Sequence, residues 1–185
     1  MMDKPWYRRF FPARPEPILE TARSHAERGD AEAQFAMGLA CSSRPDDSRD
    51  FVAGAEWYRK AAGQNHSLAQ FNLGVMYARG QGVPRDDAQS ALWMRRAAEA
   101  GDAGAQFNLG IRCHRQSINP PLDGVSESKI ESYKWLHLAA EQGYIGSITS
   151  REHITFGMSR EEVVEARRRA VLFAPSSPGP VPSLS

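Results

Sequence analysis

Histidine and cysteine side chains are the first candidates for metal binding or catalysis in this sequence. The five histidines are His25, His66, His114, His137 and His153. No two of them have the i, i+4 spacing that places two imidazoles on one helix face to bind zinc. Cys113 and His114 are adjacent, and neighbouring residues of a helix point about 100° apart, which does not suit joint ligation. We therefore predict no metal site and no bound cofactor.

Residues that could bind phosphate or act as nucleophiles are also sparse. The RGQG segment starting at Arg79 lacks the preceding strand and the Gly-Lys-Ser/Thr ending of a phosphate-binding loop. No nucleophile, base and acid form a recognisable set. The run Arg167-Arg168-Arg169 lies near a predicted helix end, where positive charge offsets the helix dipole, and the net charge is only +1. We predict no catalytic residue, no enzymatic activity and no nucleic-acid partner.

Two motifs recur along the chain at nearly constant intervals. The first, in AEAQFAMGLAC, LAQFNLGVMYARG and GAQFNLGIRCH, places a phenylalanine every 36 residues, at Phe35, Phe71 and Phe107. The second, in WYRKAA, WMRRAA and WLHLAA, begins at intervals of 36 and then 42 residues, with Trp57, Trp93 and Trp135. A period of this length, present in two separate motifs, indicates stacked supersecondary units.

Each unit is predicted to fold as two helices. In the second repeat, apolar residues from Leu68 to Tyr77 have helical spacing, and Gly80 and Pro84 then interrupt the pattern. A small residue such as Gly74 lets helices approach closely, and Trp93 is expected to fill the space between them. The position after each second helix favours a left-handed backbone, and it holds Gly29, Asn65, Gly101 and Gly143.

These elements predict an all-α fold, a right-handed α-α superhelix of stacked antiparallel helix hairpins. We expect an extended lead-in at residues 1–17, a repeat domain at 18–173 and a disordered tail at 174–185. A helix near 18–28 precedes three repeats, and a capping helix with a Ser159–Glu162 capping box closes the array. The predicted repeats are about 31–66, 67–102 and 103–144, with the capping helix at 159–173. No apolar stretch approaches the ~18 residues of a membrane span.

The two cysteines occupy equivalent positions two repeats apart. Helices pack about 8–10 Å apart, so Cys41 and Cys113 should lie too far apart to form a disulfide. We expect both to be small core residues of a protein in the reducing cytoplasm. The alternative is a periplasmic or secreted protein, exported by a route that is not visible in the sequence.

The second repeat, AQFNLGVMYARGQGVPRDDAQSALWMRRAAEAGD, resembles the Sel1-like repeat (SLR) family, a branch of the tetratricopeptide superfamily. The matching positions are Leu73-Gly74, Tyr77, Gly80, Gly82-Val83, Ala91, Trp93 and Ala97-Ala98. Repeats one and three depart from the pattern with Cys41 and Cys113 in place of the tyrosine, and repeat three has a longer loop within RQSINPPLDGVSES. The resemblance covers about residues 18–173 and implies a bacterial scaffold or adaptor for protein binding. The alternative is a regulatory accessory subunit that controls one enzyme or signalling protein.

By analogy with tetratricopeptide relatives, the first helix of each pair is expected to line a concave face that binds a partner protein or peptide. The candidate residues are Asn72, Val75 and Arg79 in repeat two, with Asn108, Ile111, Arg112 and Arg115 in repeat three. Arg79 and Arg115 are one repeat apart and could bind the carboxylates of an acidic peptide. Alternatively, these arginines are solvated residues at helix ends, and the two asparagines bond to neighbouring backbone.

Overall fold

The computed structural model describes residues 16–43, 50–118 and 125–173, and within these ranges the secondary structure is entirely helical. The predicted tail at 174–185, residues 1–15 of the predicted lead-in, and residues 119–124 of the longer loop in repeat three lie outside the described residues. The helices are α1 (Glu16–Glu27), α2 (Ala31–Ser42), α3 (Phe51–Gly63), α4 (Ser67–Arg79), α5 (Asp87–Glu99), α6 (Ala103–Ile118), α7 (Val125–Glu141), α8 (Ser147–Thr155) and α9 (Arg160–Leu172). The predicted all-α helical solenoid is confirmed.

Polar side chains define where the helices begin. Asp30, Asp50 and Asp86 each accept a hydrogen bond from the exposed backbone N–H groups of the helix that follows. His66 does the same for α4 through its ring nitrogen. The helix starts are therefore encoded locally, independently of the packing between helices.

The junctions between hairpins depend on a left-handed residue, as the sequence predicts. The backbone φ angles are +100° at Gly29, +64° at Asn65, +95° at Gly101 and +73° at Gly143. Asparagine is the common substitute for glycine in this conformation, so repeat one makes the same turn as its neighbours. The equal turns give each following hairpin a similar starting direction.

Each repeat is a tightly packed pair of helices: α2 with α3, α4 with α5, and α6 with α7. Successive pairs join through contacts of α3 with α4 and α5 with α6, and α1 packs on α2 at the start of the array. Alanines fill these junctions, and Ala61, Ala69, Ala97 and Ala105 are completely buried. Small side chains let the helices approach closely, which keeps one hairpin stacked on the next.

The three repeat tryptophans are buried to different extents. Trp135 is 1% exposed, its indole N–H donates to Glu131 and its ring packs against Phe173 at 5.2 Å between centroids. Trp57 and Trp93 are only half-buried. The prediction that Trp93 fills an inter-repeat space therefore holds only in part. Phe173, just beyond the last helix, covers the third tryptophan.

The C-terminal part of the domain contains a helix that the sequence did not predict. Helix α8 has nine residues and starts after Gly146, whose φ is +84°. It buries Ile154 and packs on α7. Its sequence, SITSREHIT, is short and mostly polar, so the apolar spacing that reveals the other helices is missing.

The closing helix α9 begins with the predicted capping box, in which Ser159 and Glu162 satisfy each other's backbone N–H groups. The arginine run near its end does more than offset the helix dipole. Arg169 binds Glu131 and Glu127 on α7, and Arg167 donates to the Tyr133 hydroxyl at 3.0 Å. These side chains fasten α9 to α7, which corrects the interpretation that they act on the helix end alone.

Within the part of the chain described, no helix is both long and apolar enough to cross a membrane.

Substituting alanine for the glycine at a helix crossing should measure how closely the two helices approach. A Cβ at Gly110 would lie 2.7 Å from Leu136 Cγ and 3.2 Å from the Leu136 backbone nitrogen, so Gly110→Ala should lower the free energy of unfolding by about 1–3 kcal/mol. Gly74→Ala is the matched control and should cost less, because its nearest atom, Met94 Cγ, is 3.1 Å away on a flexible side chain, although the Met94 backbone nitrogen is also close at 3.3 Å. Urea unfolding measures both; equal losses would contradict this packing.

Removing the buried indole should destabilise the protein more than removing a half-buried one. We expect Trp135→Ala to cost about 3–5 kcal/mol through the cavity it leaves, and Trp93→Ala to cost clearly less. Thermal and urea unfolding of the two variants provide the comparison. If Trp93→Ala were the more damaging change, the assignment of the core would be wrong.

Candidate functional site

A groove of about 270 Å³ lies between the first helices of repeats one and two. We call this the α2–α4 groove. One wall is the end of α2 and the residues after it, and the other is α4. Its lining residues are Leu39, Ser42, Ser43, Phe51, Tyr58, Asn72, Val75, Met76, Arg79 and Gln81. The first helices α2 and α4 also contact each other directly, which brings the two walls together.

Three of the residues predicted from sequence line this groove. Asn72, Val75 and Arg79 follow one another along α4 and form a polar, an apolar and a basic position. Val75 is half-buried, and Arg79 is exposed at the end of the helix. The α2–α4 groove therefore combines an apolar floor with a cation at one end.

Asn72 also contributes to the fold. The buried Tyr58 hydroxyl bonds with Ser42 Oγ at 3.1 Å, and the Asn72 side chain interacts with the same hydroxyl. Burial raises the pKa of Tyr58, and its two polar neighbours act in the opposite direction. Tyr58 therefore stays neutral and acts as a fixed hydrogen-bonding group beneath the groove.

The four predicted residues of repeat three lie on α6, outside the α2–α4 groove. They are Asn108, Ile111, Arg112 and Arg115. Ile111 is half-buried and the other three are exposed. Asn108 Nδ2 donates to the Gly104 carbonyl at 2.8 Å, so this amide bonds to backbone within its own helix, one of the two alternatives drawn from the sequence.

Repeat one contributes groove residues that were not predicted from the sequence. Leu39 and Ser43 are each 36 residues before Val75 and Arg79, so the repeat register alone would have identified them. Leu39, Val75 and Ile111 form one apolar row across three first helices, and Leu39 is 39% exposed. Phe51, Tyr58 and Gln81 come from second helices or turns. The 36-residue spacing of the first-helix motif therefore does not predict them.

The arginines at these positions are unpaired within the described part of the chain. None of the salt bridges found there includes Arg79, Arg112 or Arg115, whereas two arginines of α9, Arg168 and Arg169, are paired with glutamates. An unpaired, exposed guanidinium can bind a carboxylate with two parallel hydrogen bonds. This surface therefore presents unpaired cationic groups beside apolar side chains.

Among the described residues no group of three or more histidine, cysteine or acidic side chains could hold a metal ion. Neither Cys41 nor Cys113 forms a disulfide in the described part of the chain. Cys113 is buried, as predicted, and burial raises the pKa of its thiol, which makes it a poor nucleophile. Cys41 is only half-buried, so the prediction that both are core residues holds for one of them.

The pKa values of two histidines near α8 are lowered. Burial, followed by the charge of His153, lowers the pKa of His114, whose ring lies 5.9 Å from the His153 ring. Burial also lowers the pKa of His137, whose Nδ1 lies 2.9 Å from a guanidinium nitrogen of Arg151. The packing of α6, α7 and α8 therefore disfavours the charged form of both imidazoles.

Comparison with known proteins identifies the repeat. The family model of the Sel1 repeat matches residues 31–66, 67–102 and 103–144. No curated protein matches the sequence closely enough to count as a relative.

Two solved structures have a similar fold. One is a Sel1 repeat protein from Oxalobacter formigenes, 31% identical, with a TM-score of 0.61 over 74% of this chain and 98% of that one. The other is a protective antigen of uropathogenic Escherichia coli that displays an SLR fold, 25% identical, with a TM-score of 0.72 over 90% of this chain. The match covers 36% of that antigen, so this chain spans only about a third of its length.

The two perturbed histidines predict a pH dependence of stability. The pKa of a histidine in an unfolded chain is about 6.5. The pKa values of His114 and His137 in the folded protein are lower. The unfolded chain therefore binds more protons as the pH falls below that value, and stability present at neutral pH is lost. Urea unfolding at pH 7.5 and 5.5 should show this loss, and it should shrink in the double variant His114→Asn/His137→Gln. An unchanged loss in the double variant would contradict the assignment.

Proposed function

This chain belongs to the Sel1 repeat family, and we propose that it is a scaffold or adaptor that binds a partner protein through the first-helix face of its repeats. The binding surface consists of the α2–α4 groove and its continuation along α4 and α6. The partner contributes an extended peptide segment with acidic and apolar side chains. The protein acts by holding this partner, without catalysing a reaction.

The observation that supports this proposal most strongly is the combination of an apolar row with unpaired arginines in the same register. Leu39, Val75 and Ile111 offer contacts for apolar side chains. Arg79 and Arg115 are one repeat apart and are not engaged with other described residues. Solubility alone does not explain why these arginines lie beside an apolar row.

The dimensions favour a peptide over a small metabolite. A groove of about 270 Å³ is smaller than the roughly 300–1,000 Å³ of typical small-molecule sites, and it is open between two helices. We take the spacing of successive first helices to be near the ~8–10 Å of packed helices, which sets the separation used here for Arg79 and Arg115. An extended peptide rises about 3.3 Å per residue, so acidic side chains about three residues apart would reach Arg79 and Arg115.

We place the protein in a reducing compartment, the cytoplasm. This is supported by two cysteines that form no disulfide among the described residues, one buried and one half-buried. Sel1 repeats that are stapled by disulfides within each repeat would need cysteine pairs that this sequence lacks.

A charge-reversal experiment tests the binding surface. Peptides selected by phage display against the wild-type protein should be enriched in Asp or Glu residues about three apart, next to an apolar residue. For such a peptide, Arg79→Glu/Arg115→Glu should weaken binding about tenfold or more, which corresponds to ~1.4 kcal/mol or more from two lost ion pairs. Fluorescence anisotropy measures the affinity.

The matched control is Arg59→Glu/Arg95→Glu. These two arginines are also one repeat apart, but they lie exposed on the second helices α3 and α5. They carry the same charge change and should leave peptide affinity within about twofold at the same ionic strength. If both double variants weakened binding equally, the affinity would come from general electrostatic attraction and not from contacts at the proposed surface. If neither did, the surface would be misplaced.

A further inference from the structure

A row of buried glutamines connects the repeats on their other edge, where one hairpin turns into the next. Gln34, Gln70 and Gln106 are 36 residues apart and directly precede the repeat phenylalanines. In each, Nε2 donates to the backbone carbonyl eight residues earlier, at 3.0, 3.2 and 3.1 Å. All three side chains are buried. The same bond therefore ties each first helix to the end of the helix before it.

In two repeats a second glutamine completes the arrangement. Gln64 Nε2 donates to Gln34 Oε1 at 2.8 Å and to the Gly29 carbonyl at 2.9 Å. Gln142 Nε2 makes the same pair of bonds, to Gln106 Oε1 at 2.8 Å and to the Gly101 carbonyl at 3.0 Å. One primary amide thus satisfies a buried side-chain oxygen and a backbone oxygen at the same time.

The middle repeat lacks this second glutamine. Ala100 is one repeat length after Gln64 and cannot donate a side-chain hydrogen bond. Gln70 is 2% exposed, and its Oε1 is buried without a hydrogen-bond partner among the described residues. The backbone carbonyl equivalent to Gly29 and Gly101 belongs here to Asn65. Two acceptors that are bonded to one amide in the other repeats are left without that amide.

These acceptors adjoin a cleft of about 1,200 Å³, and Gln70, Asn65 and Ala100 all line it. Its charged groups are already engaged. Glu32 bonds to His66 at 3.0 Å, and Arg96 lies over the Trp93 ring at 4.8 Å. Asp30 accepts a hydrogen bond from the Ala33 N–H, and Glu99 lies 3.9 Å from Arg95. The two acceptors of the cleft therefore lack a neutral group that donates two N–H hydrogen bonds.

We propose that this cleft, which we call the Gln70 cleft, binds the side-chain amide of a glutamine from a partner peptide. The amide takes the place of the missing residue-100 amide, with one N–H donated to Gln70 Oε1 and the other to the Asn65 carbonyl. Ala100 lacks the atoms that Gln64 and Gln142 have beyond Cβ. Because Gln70 Oε1 is buried, the incoming amide reaches it by displacing the side chains that cover it. A neutral amide satisfies both acceptors without the cost of burying a charge. The Gln70 cleft is separate from the α2–α4 groove, which is lined by different residues.

A pair of small probes tests this proposal on the wild-type protein. N-acetylglutamine methylamide carries the required amide, and its side-chain N,N-dimethyl derivative has the same carbonyl but no side-chain N–H. In NMR titrations of ¹⁵N-labelled protein, the first compound should shift the Gln70 side-chain NH₂ resonances saturably, in the millimolar range expected for a single small group. The dimethyl compound should not. No shift with the first compound, or equal shifts with both, would overturn the proposal.

Two variants at position 100 test the same site independently. Ala100→Gln should restore the arrangement of the other repeats, raise the thermal midpoint by a few degrees and abolish the probe-induced shift. Ala100→Leu is of similar size without donors, so it should abolish the shift without raising the midpoint. Probe binding that persisted in Ala100→Gln would contradict the placement. The variant Arg79→Glu/Arg115→Glu should keep the probe response, which separates this site from the groove.

Discussion

The close approach of the two helices in each hairpin is the constraint on which the rest of this structure depends. Glycine occupies the crossing in every repeat, and an added Cβ would lie 2.6 Å from the Tyr58 ring at Gly38, and 2.7 Å from Leu136 at Gly110. Because the hairpins are this thin, alanines suffice to fill the junctions between them. Successive repeats can then stack with a constant register, which the 36-residue spacing reflects.

That register determines where recognition chemistry is possible. Residues at one repeat position form a row across neighbouring helices. Such a row is uniformly apolar or basic only if every repeat has a similar residue at that position. The apolar row through Val75 is continuous, and the basic row begins only at Arg79, since repeat one has Ser43 there. The Gln70 cleft arises the other way, from a repeat that breaks the pattern at Ala100. Similar residues at equivalent positions form the groove, whereas a different residue at position 100 leaves the Gln70 side-chain oxygen without a donor.

Features encoded locally could be predicted from sequence, whereas features that depend on what packs on top could not. The left-handed turn at Asn65 and the Ser159 capping box follow from residue type and short spacing. The unequal burial of the tryptophans depends on Phe173, 38 residues after Trp135 in the chain. Three of the seven predicted partner-binding residues line one groove because they share helix α4 with regular register. Helix α8 was missed because its nine mostly polar residues carry no periodic signal.

A structure of the protein bound to a selected acidic peptide is the most direct test that the first-helix face is the binding surface. The peptide should lie extended across α2, α4 and α6, with an apolar side chain against Val75 and carboxylates at Arg79 and Arg115. A peptide seated on the second helices α3 and α5, with both arginines still in solvent, would contradict the proposed mode of binding.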